Sequence, residues 1–213
     1  ERMVRSLRGL PFIEFRPTPE EIINITLELF RRNKKWLEQQ TDCMYIYKFF
    51  QPLAAYEPPR PTFYAFLIPF IAKHYAIYAK WYREGAHMVV ASNRHIPAQC
   101  LPPQVKHVNR ICNFLADYEA RMVDPEAIAL MLDIHGFAAE CPISSFFMVK
   151  EGKLFTSRLT NALPSITRQT VMELARELKI ECQQTELCVS DLYNADEIMI
   201  VSTPYAIIPT SKF

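Results

Sequence analysis

The pattern of hydrophobic and polar residues is clearest in a helix that it predicts over residues 19–40. Thr18 can cap this helix, Pro19 suits its first position, and Glu21 stands where a capping box needs an acid. Apolar residues then recur at helical spacing at Ile22, Ile25 and Leu29, with Ile23, Phe30 and Leu37 widening the stripe. The stripe indicates that one face of the helix packs against the rest of the protein.

Elsewhere the pattern predicts further strands and helices. Segments rich in aromatic and β-branched residues predict strands over residues 43–50, 62–70, 87–92, 126–133, 144–150, 153–156, 181–188 and 196–202. Helical periodicity returns over residues 106–122 and 168–179, and residues 1–7 are also typical of a helix. A tight turn at Glu151 and Gly152 is expected between two of the strands.

These elements favour an α+β fold with a mixed sheet. A parallel doubly wound sheet fits less well, because strands and helices are interleaved without strict β-α-β alternation. The periodicity fades between residues 69 and 78, so we place an interdomain connection at residues 71–78. The chain is thereby divided into a partial N-terminal α+β domain, residues 1–70, and a C-terminal domain, residues 79–213.

The composition of the 213 residues excludes several classes of protein. Half of the residues are apolar and 22% are charged, which is typical of a globular protein. The sequence has 4 glycines, where average usage predicts roughly fifteen. The motifs GxGxxG, GxxxxGK[ST] and GxSxG are absent, which excludes Rossmann-type dinucleotide binding, P-loop NTPases and α/β-hydrolases.

Charge and cysteine usage narrow the partners and the compartment. The formal net charge of +1 provides no basic field for nucleic acid or an anionic membrane, which favours a small-molecule partner. The longest apolar run, residues 64–72, is too short to span a bilayer. The 6 cysteines form no CxxC pair, so we expect reduced thiols in a cytoplasmic protein, with a disulfide framework as the alternative. The 5 histidines fit no metal spacing, and we expect no metal site.

Taken one at a time, the candidate functional residues leave ordinary alternatives open. Lys106 comes at the start of a predicted helix, where a lysine is usually a solvated cation. Glu140 suits a surface carboxylate at a strand end. Thr167 suits a helix N-cap, although a helix start with an added hydroxyl also suits phosphate. Ser144 and Ser145 lack a positioned base, so a serine nucleophile is unsupported.

The order of four segments is more informative than any single residue. They read LPPQVKHVNRICNFLADYEA, LDIHGFAAECPISSFFMVKEGKLFTS, LPSITRQTVMELARELKIE and LYNADEIMIVSTPYAIIP. With them the chain resembles the class IV aminotransferase family, the fold-type IV pyridoxal phosphate enzymes, which include branched-chain and D-amino acid aminotransferases and aminodeoxychorismate lyase. ERMVRSL and PTPEEI resemble the family's early helices, so the resemblance covers nearly all of the chain.

The resemblance implies a two-domain, D-amino acid aminotransferase-like fold that binds pyridoxal 5′-phosphate between a smaller α+β domain and a larger mixed-sheet domain. We expect the family's opening strands and closing segment to lie outside this chain. The resemblance also implies a homodimer whose partners are a small amino donor and a 2-oxo acid acceptor.

Roles for individual residues follow from the same resemblance. Lys106 corresponds to the lysine that forms a Schiff base with the cofactor aldehyde and then shuttles a proton between the substrate α-carbon and the cofactor C4′. Such a lysine needs a neutral amine, which burial and a neighbouring cationic centre favour. Glu140 corresponds to the acid that pairs with the pyridine nitrogen and maintains the electron sink. The residues that correspond to the family's phosphate contacts are Arg2, Ile166, Thr167 and Thr203.

The sequence departs from the family pattern at several of these places. Ser165 stands where the phosphate turn usually has glycine, which serves only if the backbone there needs no positive φ. Ser145 replaces an asparagine five residues after the acid, and Pro142 also interrupts the pattern. In branched-chain members of the family, the residue at position 204 donates its backbone N–H to the substrate carboxylate. Pro204 has no N–H and cannot make this hydrogen bond.

Three functions stay open at this point. The first is a pyridoxal phosphate-dependent aminotransferase that moves an amino group between an amino acid (branched-chain-like or D) or amine and a 2-oxo acid. The second is a lyase that releases pyruvate from aminodeoxychorismate with the same lysine and phosphate contacts. The third is a truncated relative that folds as a non-catalytic dimer. The presence of Lys106, Glu140, Thr167 and Thr203 together favours an enzyme.

Overall fold

A computed structural model describes residues 2–10, 17–40, 43–50, 62–69 and 72–213. Its contacts divide the chain into two units, Glu1–Tyr75 and Ala76–Phe213. The functional division at residues 71–78 stays a prediction.

The described part of the first unit contains three helices and a pair of strands. The helices are α1 (Arg2–Arg8), α2 (Pro19–Arg32) and α3 (Lys34–Leu37), and the strands β1 (Cys43–Phe50) and β2 (Thr62–Pro69) are antiparallel. The predicted capping box is confirmed, since Thr18 Oγ1 accepts from Glu21 N at 3.2 Å and Glu21 Oε2 accepts from Thr18 N at 2.7 Å. Residue 70, at the end of the second predicted strand, lies outside the described residues.

The helix predicted over residues 19–40 is broken at Asn33. The backbone N–H and the side-chain amide of Asn33 both donate hydrogen bonds to the Leu29 carbonyl. Helix α2 therefore ends at this point, before the short α3 begins. An asparagine competes for helix carbonyls in this way because its short side chain can reach them.

Helix α4 (Ala72–Glu84) occupies the segment that the sequence assigned to a connection. Ile77, Tyr78 and Trp81 pack against the main core from one face of this helix, while Tyr82 is exposed. Aromatic residues on both faces hide the helical period, so the expectation of an irregular segment was wrong. Gly85 ends α4 at φ +79, and a Cβ there would lie 2.5 Å from Ser211 Cβ.

The second unit is built on an eight-stranded mixed sheet. Its strands are β3 (Ala86–Val90), β4 (Ile128–Leu132), β5 (Ala138–Glu140), β6 (Ser145–Lys150), β7 (Lys153–Ser157), β8 (Cys182–Thr185), β9 (Glu197–Ser202) and β10 (Ala206–Lys212). They lie in the order β5-β4-β3-β10-β9-β6-β7-β8. Three neighbouring pairs are parallel, β3 with β4, β3 with β10 and β7 with β8, and the others are antiparallel.

Alternate residues of the central strands reach opposite faces of this sheet. Leu130, Phe146 and Ile200 join the largest apolar cluster, whereas the next residues along each strand contact helices on the other face. Those helices are α5 (Ile111–Val123), which packs through Ala116 and Ala120, and α6 (Ile166–Glu177), which packs through Val171 and Ala175. Strands buried on both faces explain why their sequences lack strict alternation.

Several boundaries differ from the sequence-based prediction. Strands β5 and β10 and helix α7 (Val189–Tyr193) were not predicted: β5 and α7 span only three and five residues, and β10 contains Pro209. The predicted turn is confirmed, because Glu151 and Gly152 both have positive φ, 50° and 73°. Within the described residues, no helix is long and apolar enough to span a bilayer.

Candidate active site

Glu140 is the last residue of β5 and both of its carboxylate oxygens have protein partners. Oε1 lies 3.1 Å from His95 Nε2, and Oε2 accepts a hydrogen bond of 3.0 Å from the backbone N–H of Leu163. The side chain is 14% exposed. A carboxylate offers about four lone-pair directions, so one more donor can still be accepted. The expectation of an ordinary surface carboxylate is therefore wrong, because the group is half-enclosed and firmly held.

His95 is a partner of Glu140 that the sequence did not reveal. Its Nδ1 atom lies 3.0 Å from the Ile96 carbonyl oxygen, and its backbone N–H donates to the Leu132 carbonyl. Burial alone would lower the pKa of His95, but the hydrogen bond and charge of Glu140, the Ile96 carbonyl and the charge of Asp133 together raise it above 6.5. The spacing of 45 residues between His95 and Glu140 left no local pattern that could have predicted the pair.

The loop after Glu140 is held through its carbonyl groups. Asn113 Nδ2 donates to the Pro142 carbonyl at 3.2 Å, and Ser202 Oγ donates to the Ile143 carbonyl at 2.8 Å. Ser145, at the family's asparagine position, is buried in β6 beside Val201 of β9. The loop is thus positioned by α5 and β9.

The start of α6 departs from the sequence-based expectation. Ser165, and not Thr167, is the N-cap: its Oγ accepts from Arg168 N at 3.3 Å, and its φ of −66° and ψ of 137° are open to any residue. A glycine is therefore not required at this position. Within the described part of the chain, the N–H groups of Ile166 and Thr167 and the Thr167 hydroxyl have no hydrogen-bond partner.

Unpaired amides at a helix N-terminus carry partial positive charge and favour an anion such as phosphate. The side chain of Arg168, one residue after Thr167, does not lie beside these unpaired amides. It is buried and donates to Thr156 Oγ1 at 3.3 Å, to Gln184 Oε1 at 2.9 Å and to the Ser157 carbonyl. It fixes the first turn of α6 to the β7–β8 edge of the sheet.

Leu163 joins the acid to this helix start. Its N–H donates to Glu140, and its carbonyl accepts from Ser165 N at 2.8 Å. One short segment therefore connects a carboxylate with a set of free amides. This connection was not evident from the sequence, because it runs through backbone groups.

Lys106 lies in the loop before α5, which begins at Ile111, five residues later than predicted. The lysine side chain is exposed. Its neighbour His107 lies near the acid: burial lowers the pKa of His107, the charges of His95 and Arg110 act in the same direction, and Glu140 opposes them. The Nδ1 atom of His107 is buried and has no partner among the described residues.

For two of the residues predicted to contact the cofactor phosphate, the structure gives only their position in the fold. Thr203 is exposed in the turn between β9 and β10, next to Ser202, which bonds the loop after Glu140. Arg2 lies at the beginning of α1 in the first unit. The assignments of Arg2, Thr203 and the other site residues to cofactor contacts stay predictions.

Comparison with known proteins identifies the family. The profile of the amino-transferase class IV family matches residues 1–213. The chain therefore belongs to the class IV aminotransferase family, as its motifs predicted. Class IV aminotransferases use pyridoxal 5′-phosphate, which confirms the cofactor prediction for the family.

Three similar proteins illustrate the match. The branched-chain-amino-acid aminotransferase of Salmonella typhimurium is 38% identical over 129 residues, which cover 59% of this chain and 41% of that protein. The crystal structure of the Escherichia coli branched-chain amino acid aminotransferase aligns with a TM-score of 0.85 at 25% identity, over 99% of this chain and 68% of that one. The Thermobaculum terrenum enzyme in its PLP form aligns with a TM-score of 0.80 at 27% identity, over 99% and 67%.

These structures confirm the predicted fold-type IV architecture. The aligned part of the chain spans less than half of the first curated relatives' length, 44% and 41% in two of them.

Proposed function

We propose that this protein is a pyridoxal phosphate-dependent aminotransferase that moves an amino group between an amino acid, branched-chain-like or D, or an amine, and a 2-oxo acid. The observation that carries the proposal is the connected pair of groups described above, a held carboxylate at Glu140 and free amides at the start of α6. Family membership and the names of the relatives support the same reaction class.

The described residues fit the cofactor at two points. Its phosphate needs several N–H and O–H donors, and Ile166 and Thr167 offer two amides and a hydroxyl without other partners. Its ring nitrogen needs an acid with a free lone-pair direction, which Glu140 retains after its two bonds. These donors and this acceptor match opposite ends of the same molecule.

When bound, the cofactor supplies a conjugated ring that accepts electrons from the substrate α-carbon. The chain's own residues bind and orient it. Lys106 holds the cofactor and then moves a proton at the substrate α-carbon. Glu140 holds a proton on the ring nitrogen, because an adjacent negative charge favours the protonated form. The α6 amides fix the phosphate and with it the position of the ring.

The attachment to Lys106 is the sharpest test of this function. The protein is mixed with pyridoxal 5′-phosphate, reduced with borohydride and digested, and the modified peptide is identified by mass spectrometry. The adduct is expected on Lys106, is absent from Lys106→Ala, and persists in the control Lys35→Ala, which changes an exposed lysine of α3. No adduct, or an unchanged adduct in Lys106→Ala, contradicts the proposal.

A donor panel then separates the reaction classes. L-branched-chain amino acids, D-amino acids and aryl amines are each incubated with the loaded protein, and pyridoxamine 5′-phosphate and 2-oxo acid are measured by chromatography. Formation of both products with any donor supports transamination and identifies the donor class. Release of pyruvate from aminodeoxychorismate without pyridoxamine 5′-phosphate would instead show the lyase reaction.

We also propose a homodimer, and an exposed face of α5 supports it. Large apolar side chains recur with helical periodicity along this face and are 44–71% exposed: Ile111, Phe114, Leu115, Tyr118 and Met122. A contiguous apolar surface of this kind is typical of a protein interface. Sedimentation should show Phe114→Glu as a monomer and the control Leu178→Glu, at an exposed site beside α6, as a dimer.

We also propose a cytoplasmic location. The cysteines whose side chains the structure describes, Cys100, Cys112, Cys141, Cys182 and Cys188, are all free thiols. Reduced cysteines are typical of cytosolic proteins. Thiol titration of the freshly isolated protein should find them reactive after unfolding without reductant.

A further inference from the structure

The two ring nitrogens of His95 both face oxygen atoms. Nδ1 lies 3.0 Å from the Ile96 carbonyl, which can only accept, and Nε2 lies 3.1 Å from Glu140 Oε1. If Glu140 is ionised, as its proposed role requires, both nitrogens must donate. An imidazole that donates from both nitrogens is an imidazolium cation.

We propose that His95 is a positioning residue that, as an imidazolium, fixes the Glu140 carboxylate beside the start of α6. Ser145, at the position where the family pattern has an asparagine, is buried in β6. The inference rests on the role proposed for Glu140.

The surroundings of His95 favour this charge state. Asp133, after β4, adds a second negative charge that raises the pKa of His95, whereas burial lowers the pKa of the neighbouring His107. Arg168 of α6 also interacts electrostatically with Glu140, and Arg110 lies close enough to lower the pKa of His107. The pair is 13% and 14% exposed, so solvent screens it weakly.

The His95 segment is itself anchored. Glu119 Oε2 of α5 accepts from Ser92 N at 2.6 Å and from Asn93 N at 3.3 Å. The N–H of His95 bonds the Leu132 carbonyl at 2.9 Å, at the end of β4. The segment that carries the His95 ring is therefore held by both α5 and β4. A positioning group is effective only when its own backbone is fixed in this way.

Two variants separate the hydrogen bond from the charge. His95→Gln keeps an N–H donor that can reach Glu140 but removes the charge, whereas His95→Leu removes both. The rate constant of the half-reaction with an amino donor should fall about tenfold in His95→Leu and stay within about threefold of the wild type in His95→Gln at neutral pH. The control His135→Gln, at an exposed histidine, should match the wild type.

The pH profile provides a second test. Above the pKa of His95 a neutral ring can donate to only one of its two acceptors. Where the remaining proton stays on Nδ1, bonded to the Ile96 carbonyl, the Nε2 lone pair faces Glu140, so the wild-type rate should fall as pH rises through that value. His95→Gln has no proton to lose and should lack this alkaline limb. An identical limb in His95→Gln, or equal rates for the Leu and Gln variants and the wild type, would overturn the positioning role.

A measurement on the protein without cofactor keeps the inference separate from the proposed function. Histidine ¹⁵N NMR should show His95 protonated at both nitrogens and titrating above 6.5, and Glu140→Gln should lower that midpoint. A neutral His95 at pH 6, or a midpoint unaffected by Glu140→Gln, overturns the inference even if the enzyme is active. Failure of Lys106 to bind the cofactor overturns the function and leaves this NMR result standing.

Discussion

The two ends of the candidate site are built differently. At the acid end, Glu140 is held by His95 and by the N–H of Leu163, so the protein satisfies the charged group itself. At the helix end, the amides of Ile166 and Thr167 have no partner in the described residues and lie at the surface or partly exposed. Preorganised groups favour catalysis, whereas unpaired donors favour binding. Substitutions at the two ends should therefore affect different measurements.

Glu140→Gln is expected to have the largest effect. Loss of the negative charge should lower the rate of the half-reaction by about 100-fold, while the cofactor dissociation constant, from a fluorescence titration, should change much less. Both partners of Glu140 donate, so the new NH2 group must face one of them, and His95 must become neutral to accept from it. The control Glu186→Gln removes an exposed carboxylate paired with Arg158. Equal losses of rate and affinity would show that the two ends are not separate.

Thr167→Val should act on binding. A hydrogen bond to a charged group contributes roughly 1.5–3 kcal/mol, so loss of this hydroxyl should weaken cofactor affinity by about tenfold or more. Its turnover with saturating cofactor should stay close to the wild-type value. The matched control is Thr170→Val, because the Thr170 hydroxyl is bonded to the Ile166 carbonyl at 3.1 Å. If both variants bind equally well, the helix start is not the phosphate site.

Ser165 tests whether the helix end is also a structural element. Ser165→Ala removes the N-cap hydrogen bond to Arg168 N and should lower the free energy of unfolding by about 1 kcal/mol. Ser165→Gly, which has the family's usual residue, should cost only a few tenths of a kcal/mol. Urea denaturation of both variants measures the difference. A Gly variant less stable than the Ala variant would mean that the cap does not stabilise α6.

The sequence predicted what local rules govern. The capping box at Thr18 and Glu21 and the turn at Glu151 and Gly152 depend on residues that lie within three positions of one another. The order of the motifs predicted the family, and membership of the family implies the fold. Strand β10 was not predicted because Pro209 interrupts its pattern, and helix α4 was not predicted because aromatic residues lie on both of its faces.

The support of the candidate site lay beyond such rules. His95 and Glu140 are 45 residues apart, and Leu163 contributes only a backbone N–H, which no side-chain pattern reports. The serine at position 145 marked a departure from the family pattern near Glu140, but it did not identify a partner for that carboxylate. Contacts made between strands and loops far apart in sequence need the folded chain to become visible.

The smallest predicted effect concerns the two histidines near Glu140, whose pKa values are shifted in opposite directions. The pKa of His95 is raised, so its contribution to stability is complete below 6.5 and is lost as pH rises through the folded-state value. The pKa of His107 is lowered, so folding opposes its protonation and stability is lost as pH falls below 6.5. Urea denaturation between pH 5.5 and 8.5 should therefore show a shallow maximum in the wild type. His95→Gln should flatten the alkaline side and His107→Gln the acid side. If His95→Gln leaves the alkaline side unchanged, the acid end of the site is not held by a charged histidine.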